Sequence, residues 1–196
     1  METSQSTLVR LAQPGDAHAL AQLHTASWRL TYRGQLTDAF LDGPVFEDRL
    51  ALWTHRLTNP SHRQAIWVAT RDDTVVGLAC SFAQHDERWG SLLENLHIAP
   101  DHKRQGIGQL LFDAVRQWAD QSTPSQWLHL WVLASNHAAQ RFYQQLNAQH
   151  VESGTWYAPD GSCLAQYRYA WPLTTHQLEG HPHGSNQNLR TTRSLD

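Results

Sequence analysis

The chain has 196 residues, 40% of them hydrophobic and 17% charged, with a formal net charge of -3 when histidine is neutral. That length supports one domain with a proper core, and the charge balance excludes a global basic field of the kind that binds nucleic acid. No apolar run approaches the roughly 18 residues of a membrane span, so neither nucleic acid nor a membrane is an expected partner.

The N-terminal "METSQSTLVRLAQPGD" lacks a basic segment followed by an apolar block, and so does not read as a signal peptide. Cys80 and Cys163 stand in apolar, strand-like segments without CxxC spacing, which reads as two buried thiols in a reducing cytoplasm. Histidine is abundant, at 13, but there is no HExxH, and His181 and His183 lie in a polar stretch; no metal is expected.

In chain order, "TLVRLAQ" alternates as a strand and stops at Pro14-Gly15-Asp16, with Asp16 a candidate cap for the next helix. On that helix Ala17, Leu20, Leu23, His24 and Trp28 recur at helical spacing. "SWRLTYRGQLTDAFLDGP" reads as a helix end, a loop and a short helix, and "FEDRLALWTHRL" as a further helix. "QAIWVATR" and "TVVGLACSFAQ" form a hairpin across Asp72-Asp73, and "SLLENLHI" is the next strand. Beyond it, Leu110, Leu111, Ala114, Val115 and Trp118 make one apolar helix stripe. "SQWLHLWVL" is a strand. "SNHAAQRFYQQLNAQ" is a helix with Ala139, Phe142, Tyr143 and Leu146 on one face. "HVESGTWYA" and "CLAQYRYAW" close the fold around Pro159-Asp160-Gly161. This order predicts a mixed α/β (α+β) sheet of about seven strands with helices on its faces. The domain spans residues 1–172, and the polar tail 173–196 reads as disordered.

Between the strand "SLLENLHI" and the next helix lies "APDHKRQGIG". The first turn of a helix carries backbone N–H groups without internal partners and a partial positive charge. Gly106 and Gly108 let those amides approach a bulky anion, and Lys103 and Arg104 add cationic side chains; the set suits a diphosphate. A GxG before a helix is also found as a plain turn. No GxxxxGK[ST] P-loop is present, and GxGxxG fails because position 111 is leucine.

The wider pattern discriminates. Pro100, then Lys103-Arg104-Gln105-Gly106-Ile107-Gly108, then Asn136-His137-Ala138-Ala139-Gln140-Arg141-Phe142-Tyr143 after a strand, resembles the GNAT superfamily of acyl-CoA-dependent N-acetyltransferases. The resemblance runs from about Leu8 to Trp171. It departs from the family pattern at Lys103, where Gln or Arg is usual, and at "LNAQH", where Gly-Phe is usual and Asn147 would take the left-handed cap.

The resemblance implies a centrally splayed sheet with acetyl-CoA as cosubstrate in the gap between "SLLENLHI" and "WLHLWVL". Cofactor-binding positions are then Leu96, His97 and Ile98 on the first strand, residues 103–108 (Lys103, Arg104, Gln105, Gly106, Ile107 and Gly108) at the loop, and Asn136, which also fits as a helix N-cap. The Ile98 amide would face the thioester carbonyl. Tyr143 is the candidate acid for the leaving thiolate, against a bland role as core aromatic. Glu94 is the candidate base, acting through a water, with a salt-bridged strand-end carboxylate as the ordinary alternative. His97 is the rival base, although strict alternation would put the two on opposite strand faces unless a bulge intervenes. Ser27, Trp28, Tyr32 and Arg33 lie where relatives line the acceptor cleft. The expected reaction is acetyl transfer to a primary amine, most simply of a small molecule; the alternatives are a non-catalytic acyl-CoA-binding module and a peptide acetyltransferase. The aromatic final hairpin, with Trp156, Tyr157, Tyr167, Tyr169 and Trp171, offers surface for a homodimer or for its own core.

Overall fold

The computed structural model describes residues 6–122 and 126–173. The tail expected to be disordered, with His181 and His183, lies outside the described residues apart from Leu173. The elements are β1 (Leu8–Leu11), α1 (Ala17–Thr31), α2 (Asp38–Asp42), α3 (Val45–Thr58), β2 (Gln64–Arg71), β3 (Thr74–Asp86), β4 (Gly90–Ile98), α4 (Ile107–Ser122), β5 (Trp127–Leu133), α5 (His137–Gln145), β6 (Gln149–Tyr157) and β7 (Cys163–Pro172). The strands form one seven-stranded sheet in the order β1-β2-β3-β4-β5-β7-β6. Among the strands of the described residues, β4 and β5 run parallel and every other neighbouring pair is antiparallel. Among the described residues no helix is long and apolar enough to cross a membrane.

Alternation along β2 assigns the two faces. Ile66 and Val68 pack with Leu20 and Leu23 of α1 and Trp53 of α3, whereas Ala65, Trp67 and Ala69 pack with Ile107, Leu111 and Val115 of α4. The hairpin forms at the predicted Asp72-Asp73. Both residues have positive φ, 45° and 60°, as a two-residue turn matching strand twist requires.

Three local expectations are corrected. Asp16 does not cap α1 through its side chain; its carboxylate accepts from Arg10 at 2.7 and 2.9 Å and from the Gln13 amide at 2.7 Å, closing the 3-10 turn Pro14–Asp16 instead. The stripe of α4 is rotated from the predicted one: Ile107, Leu111, Phe112, Val115 and Ala119 are buried, and Leu110 is exposed. The helix starts at Ile107, whose burial anchors its first turn and sets that rotation. Cys80 is buried as expected, but Cys163, at the start of β7 beside the hairpin turn, is exposed.

Two irregularities shape the centre of the sheet. Cys80 pairs with Asn95 while the next residue, Ser81, pairs with Leu93, so Glu94 is an extra residue in β4, a β-bulge. In addition, β4 and β5 are paired only at Ser91↔Leu128 and Leu92↔His129. Beyond that point β4 continues to Ile98 on β3, and β5 continues to Leu133 on β7, so the two strands part.

Candidate active site

A cleft of about 1230 Å³ opens where the strands part, walled by β4, β5, the loop before α4, and α5. The phase of the β3–β4 ladder decides which peptide groups face it. The Ala99 amide donates to the Val76 carbonyl at 2.9 Å, so residues 97 and 99 direct their N–H and C=O groups at β3. Leu96 and Ile98 therefore turn theirs the other way, into the gap that β5 has left. The His97 backbone does not share that direction.

At the upper end of the gap, Arg104 (φ 62°) and Gly106 (φ 81°) adopt left-handed conformations. Such backbone curls successive amides into a concavity suited to an anion. Among the described residues, no carbonyl or side chain accepts from the amides of residues 104–108. The two glycines have different reasons. At Gly106 a Cβ would meet nothing within 4 Å, so the requirement there is backbone conformation. At Gly108 a Cβ would lie 3.2 Å from Cζ of Phe142, so its small size lets α4 approach α5. The cationic Lys103 and Arg104 line the cleft, joined by Arg141 of α5. The Gln105 side chain does not; it accepts from Arg71 and donates to the Asp101 carbonyl.

Asn136 caps α5, its Oδ1 accepting from the Ala139 amide at 3.1 Å, and it also lines the cleft. Asn136→Ala should cost about 1 kcal/mol. A thermal melt should show a drop of about 2–4 °C; an unchanged Tm would mean that the cap is dispensable. The helix ends as expected, with Asn147 at φ 63°.

Tyr143 is buried between Phe142 and Trp171 (ring centroids 5.3 and 5.8 Å), and it borders the cleft. Burial, reinforced by the nearby Tyr32 phenol, raises its pKa well above the ordinary value. Burial likewise pushes Tyr32 up to about 12.

The bulge brings Glu94 and His97 to the same side of the sheet, the side of α1 and α3. Glu94 forms a two-pronged ion pair with Arg56 of α3. His97 Nδ1 lies 2.8 Å from Ser27 Oγ of α1, and its ring is 4.6 Å from that of the fully buried His24. Trp53 Nε1 donates to His24 Nδ1 at 3.2 Å. Burial, with smaller contributions from Lys103 and Arg49, lowers the His97 pKa to about 4. Burial also lowers His129 to about 4, with Arg168 adding to the shift. A histidine whose folded pKa lies below its unfolded value near 6.5 binds protons preferentially in the unfolded chain between those limits. Stability should therefore be full above about pH 6.5 and decline toward pH 4. Each ring contributes a loss on the order of 1–2 kcal/mol between pH 7 and pH 5. Urea midpoints across that range check it, and a flat profile would contradict it.

Ser27, Trp28 and Tyr32 also line the cleft, with Trp156 and Tyr157 from β6 and Arg49 from α3. Trp28 packs against Tyr32 and Trp156 at 5.3 and 5.9 Å, and the Arg49 guanidinium lies 4.6 Å over its ring. Arg33 does not line the cleft; it pairs with Asp38 and Asp42 on the surface. Arg49 and Arg56 escaped the sequence reading, although their seven-residue spacing places both on one face of α3. Of the hairpin aromatics, Tyr169 and Trp171 are buried in the chain's own core, and Tyr157 is exposed.

The family model for the acetyltransferase (GNAT) family matches residues 18–148, most of the chain and all of the β4–α4 and α5 motifs. The chain belongs to the GNAT family. Solved structures place this GNAT chain among similar folds. A GCN5-related N-acetyltransferase from Rhodopseudomonas palustris is 21% identical, with a TM-score of 0.67 over 88% of this chain and 100% of the other. The PaiA N-acetyltransferase of Thermoplasma acidophilum, solved in complex with coenzyme A, is 18% identical with a TM-score of 0.64, covering 83% and 98%. Arabidopsis thaliana NAA60, in complex with a bisubstrate analogue, is also 18% identical with a TM-score of 0.64, covering 85% and 98%. No curated protein sequence matches this GNAT chain significantly.

Proposed function

We propose that this protein transfers the acetyl group of acetyl-CoA to the nitrogen of a small primary amine. The observation that carries this reading is the continuity of unpaired peptide groups. They run from Leu96 and Ile98 in the parted sheet to the amides of residues 104–108, the arrangement a pantetheine arm and its diphosphate would require. The coenzyme A complex of the similar Thermoplasma acidophilum protein supports the choice of ligand.

Acetyl-CoA supplies an activated acyl carbon. The amine attacks that carbon, a C–N bond forms, and the C–S bond breaks. The Ile98 N–H stabilises the carbonyl oxygen as it gains charge. The proton lost by the amine passes through a water to Glu94. Pairing with Arg56 occupies one lone pair on each Glu94 oxygen and leaves the others to accept. His97, its pKa lowered to about 4 by burial and its ring bonded to Ser27, orders the wall. Tyr143 gives its phenolic proton to the thiolate. Burial that disfavours the phenolate disfavours a neighbouring thiolate too, so the transfer stays accessible.

A small acceptor is favoured because the segment after α1 is tied to the β6–β7 turn beside Trp28. The Thr37 amide donates to Asp160 Oδ2 at 2.6 Å, and Trp28, Leu36, Leu41, Val45 and Ala158 pack beneath that tie. An extended polypeptide would have to part these elements. Isothermal titration with CoA, followed by thiol release from acetyl-CoA over a panel of amines and short peptides, tests the reading. No CoA binding at tens of micromolar would remove it. Binding without thiol release would favour a non-catalytic acyl-CoA-binding module.

A further inference from the structure

The loop carrying the amides of residues 104–108 is held from outside the cleft. Gln105 sits between two residues with left-handed backbone, Arg104 at φ 62° and Gly106 at φ 81°. A non-glycine residue in that region is strained, and such strain persists only where neighbouring groups over-determine the conformation. Asp101, Arg71 and Thr7 supply the hold. Gln105 Nε2 donates to the Asp101 carbonyl at 3.0 Å, closing the loop on itself. Gln105 Oε1 accepts from Nη1 of Arg71, the last residue of β2, and Arg71 Nε donates to Thr7 Oγ1 at 2.8 Å. A guanidinium with its fork divided between two acceptors is fixed in direction, which a single flexible contact would not achieve.

Arg71 is not among the residues that line the cleft, and it lies at the far end of a strand two places from β4 in the sheet. We infer that Arg71 is a positioning residue for the CoA seat: through Gln105 it locks the curled loop so that the amides of residues 104–108 converge before any ligand arrives. The inference rests on the CoA reading above. It also gives Gln105, a motif residue, a purpose other than direct contact. Its amide belongs to the seat while its side chain is the handle by which the seat is held.

The role predicts a specific pattern. Arg71→Ala frees the loop to sample other shapes, so the ligand must bear the ordering, and CoA affinity falls without a change in the chemistry. The CoA Kd, measured by isothermal titration, should rise about tenfold. kcat at saturating acetyl-CoA should stay within about twofold of wild type, and the melting temperature within a few degrees. Arg71→Lys should recover part of the affinity, keeping one donor and losing the fork. Gln105→Ala, which also loses the bond to the Asp101 carbonyl, should weaken CoA binding at least as much as Arg71→Ala, and the double variant should be no weaker than Gln105→Ala alone, because Arg71 acts on the loop through Gln105.

An Arg71→Ala Kd equal to wild type, or losses that add in the double variant, would overturn the inference while leaving the CoA reading intact. A fall in kcat equal to the loss in affinity would overturn it too, since that pattern belongs to a group acting on the reaction. Failure of the wild type itself to bind CoA would instead remove the reading on which the inference stands.

Discussion

Tyr143→Phe should lower turnover about 10²-fold while leaving the Kd for CoA within about twofold of wild type. The substitution removes one oxygen and keeps the ring that packs 5.8 Å from Trp171 and 5.3 Å from Phe142, so the fold of α5 against the sheet is preserved. What is lost is a proton held, by burial, on an oxygen beside the cleft. Without it the departing thiolate must take its proton from bulk water or leave as an anion in a desolvated wall, and both raise the barrier. Steady-state kinetics with acetyl-CoA and any accepted amine measure the first quantity, and titration with CoA the second. Full activity would strike Tyr143 from the chemistry; lost CoA affinity with normal kcat would make it a binding wall.

Gly106→Val should abolish useful CoA affinity, raising Kd about 100-fold, equivalent to about 2.7 kcal/mol. Two effects combine. At φ 81° a β-branched side chain is strained by about 1–2 kcal/mol, which pulls the loop toward a conformation in which the amides no longer converge. The methyl groups also enter the open space in front of those amides, where the protein places nothing within 4 Å. Because that space holds no protein atoms, the cost to folding is limited to the backbone strain, about 2–4 °C in Tm for each kcal/mol. Gly106→Ala should fall between the two. A variant that binds CoA as well as wild type would show that the seat lies elsewhere.

Much of this architecture was legible because local rules and global fold agree. Strand alternation, the two aspartates of the β2–β3 turn, and the helical spacing of Leu20, Leu23 and Trp28 each have a short-range cause. So do the GxG segment and the cap at Asn136. The misreadings share a different origin. Asp16 was expected to serve the helix beside it, but Arg10 on β1 competes for its carboxylate. Leu110 was placed on the buried stripe of α4, whereas the rotation of that helix is set by the burial of Ile107 and Phe112 against the sheet. Arg33 matched the chemistry expected of an acceptor cleft and is taken instead by Asp38 and Asp42. The ion pair of Glu94 with Arg56, and the hold of Arg71 on Gln105, join residues 38 and 34 positions apart; no local pattern announces either.

The supernumerary residue at position 94 has a consequence for how this strand can vary. It acts as a spare link in a zip fastener: Leu93 and Asn95 mesh with consecutive residues of β3, so removing the link would leave every later side chain on its present face. Ironing the strand flat with the residue retained would instead turn over everything from Asn95 onward. The peptide groups now offered to the gap would then be handed back to β3, and the imidazole of His97 would be driven into the apolar layer under α4. The position can be dropped without disturbing the gap, but it cannot be straightened.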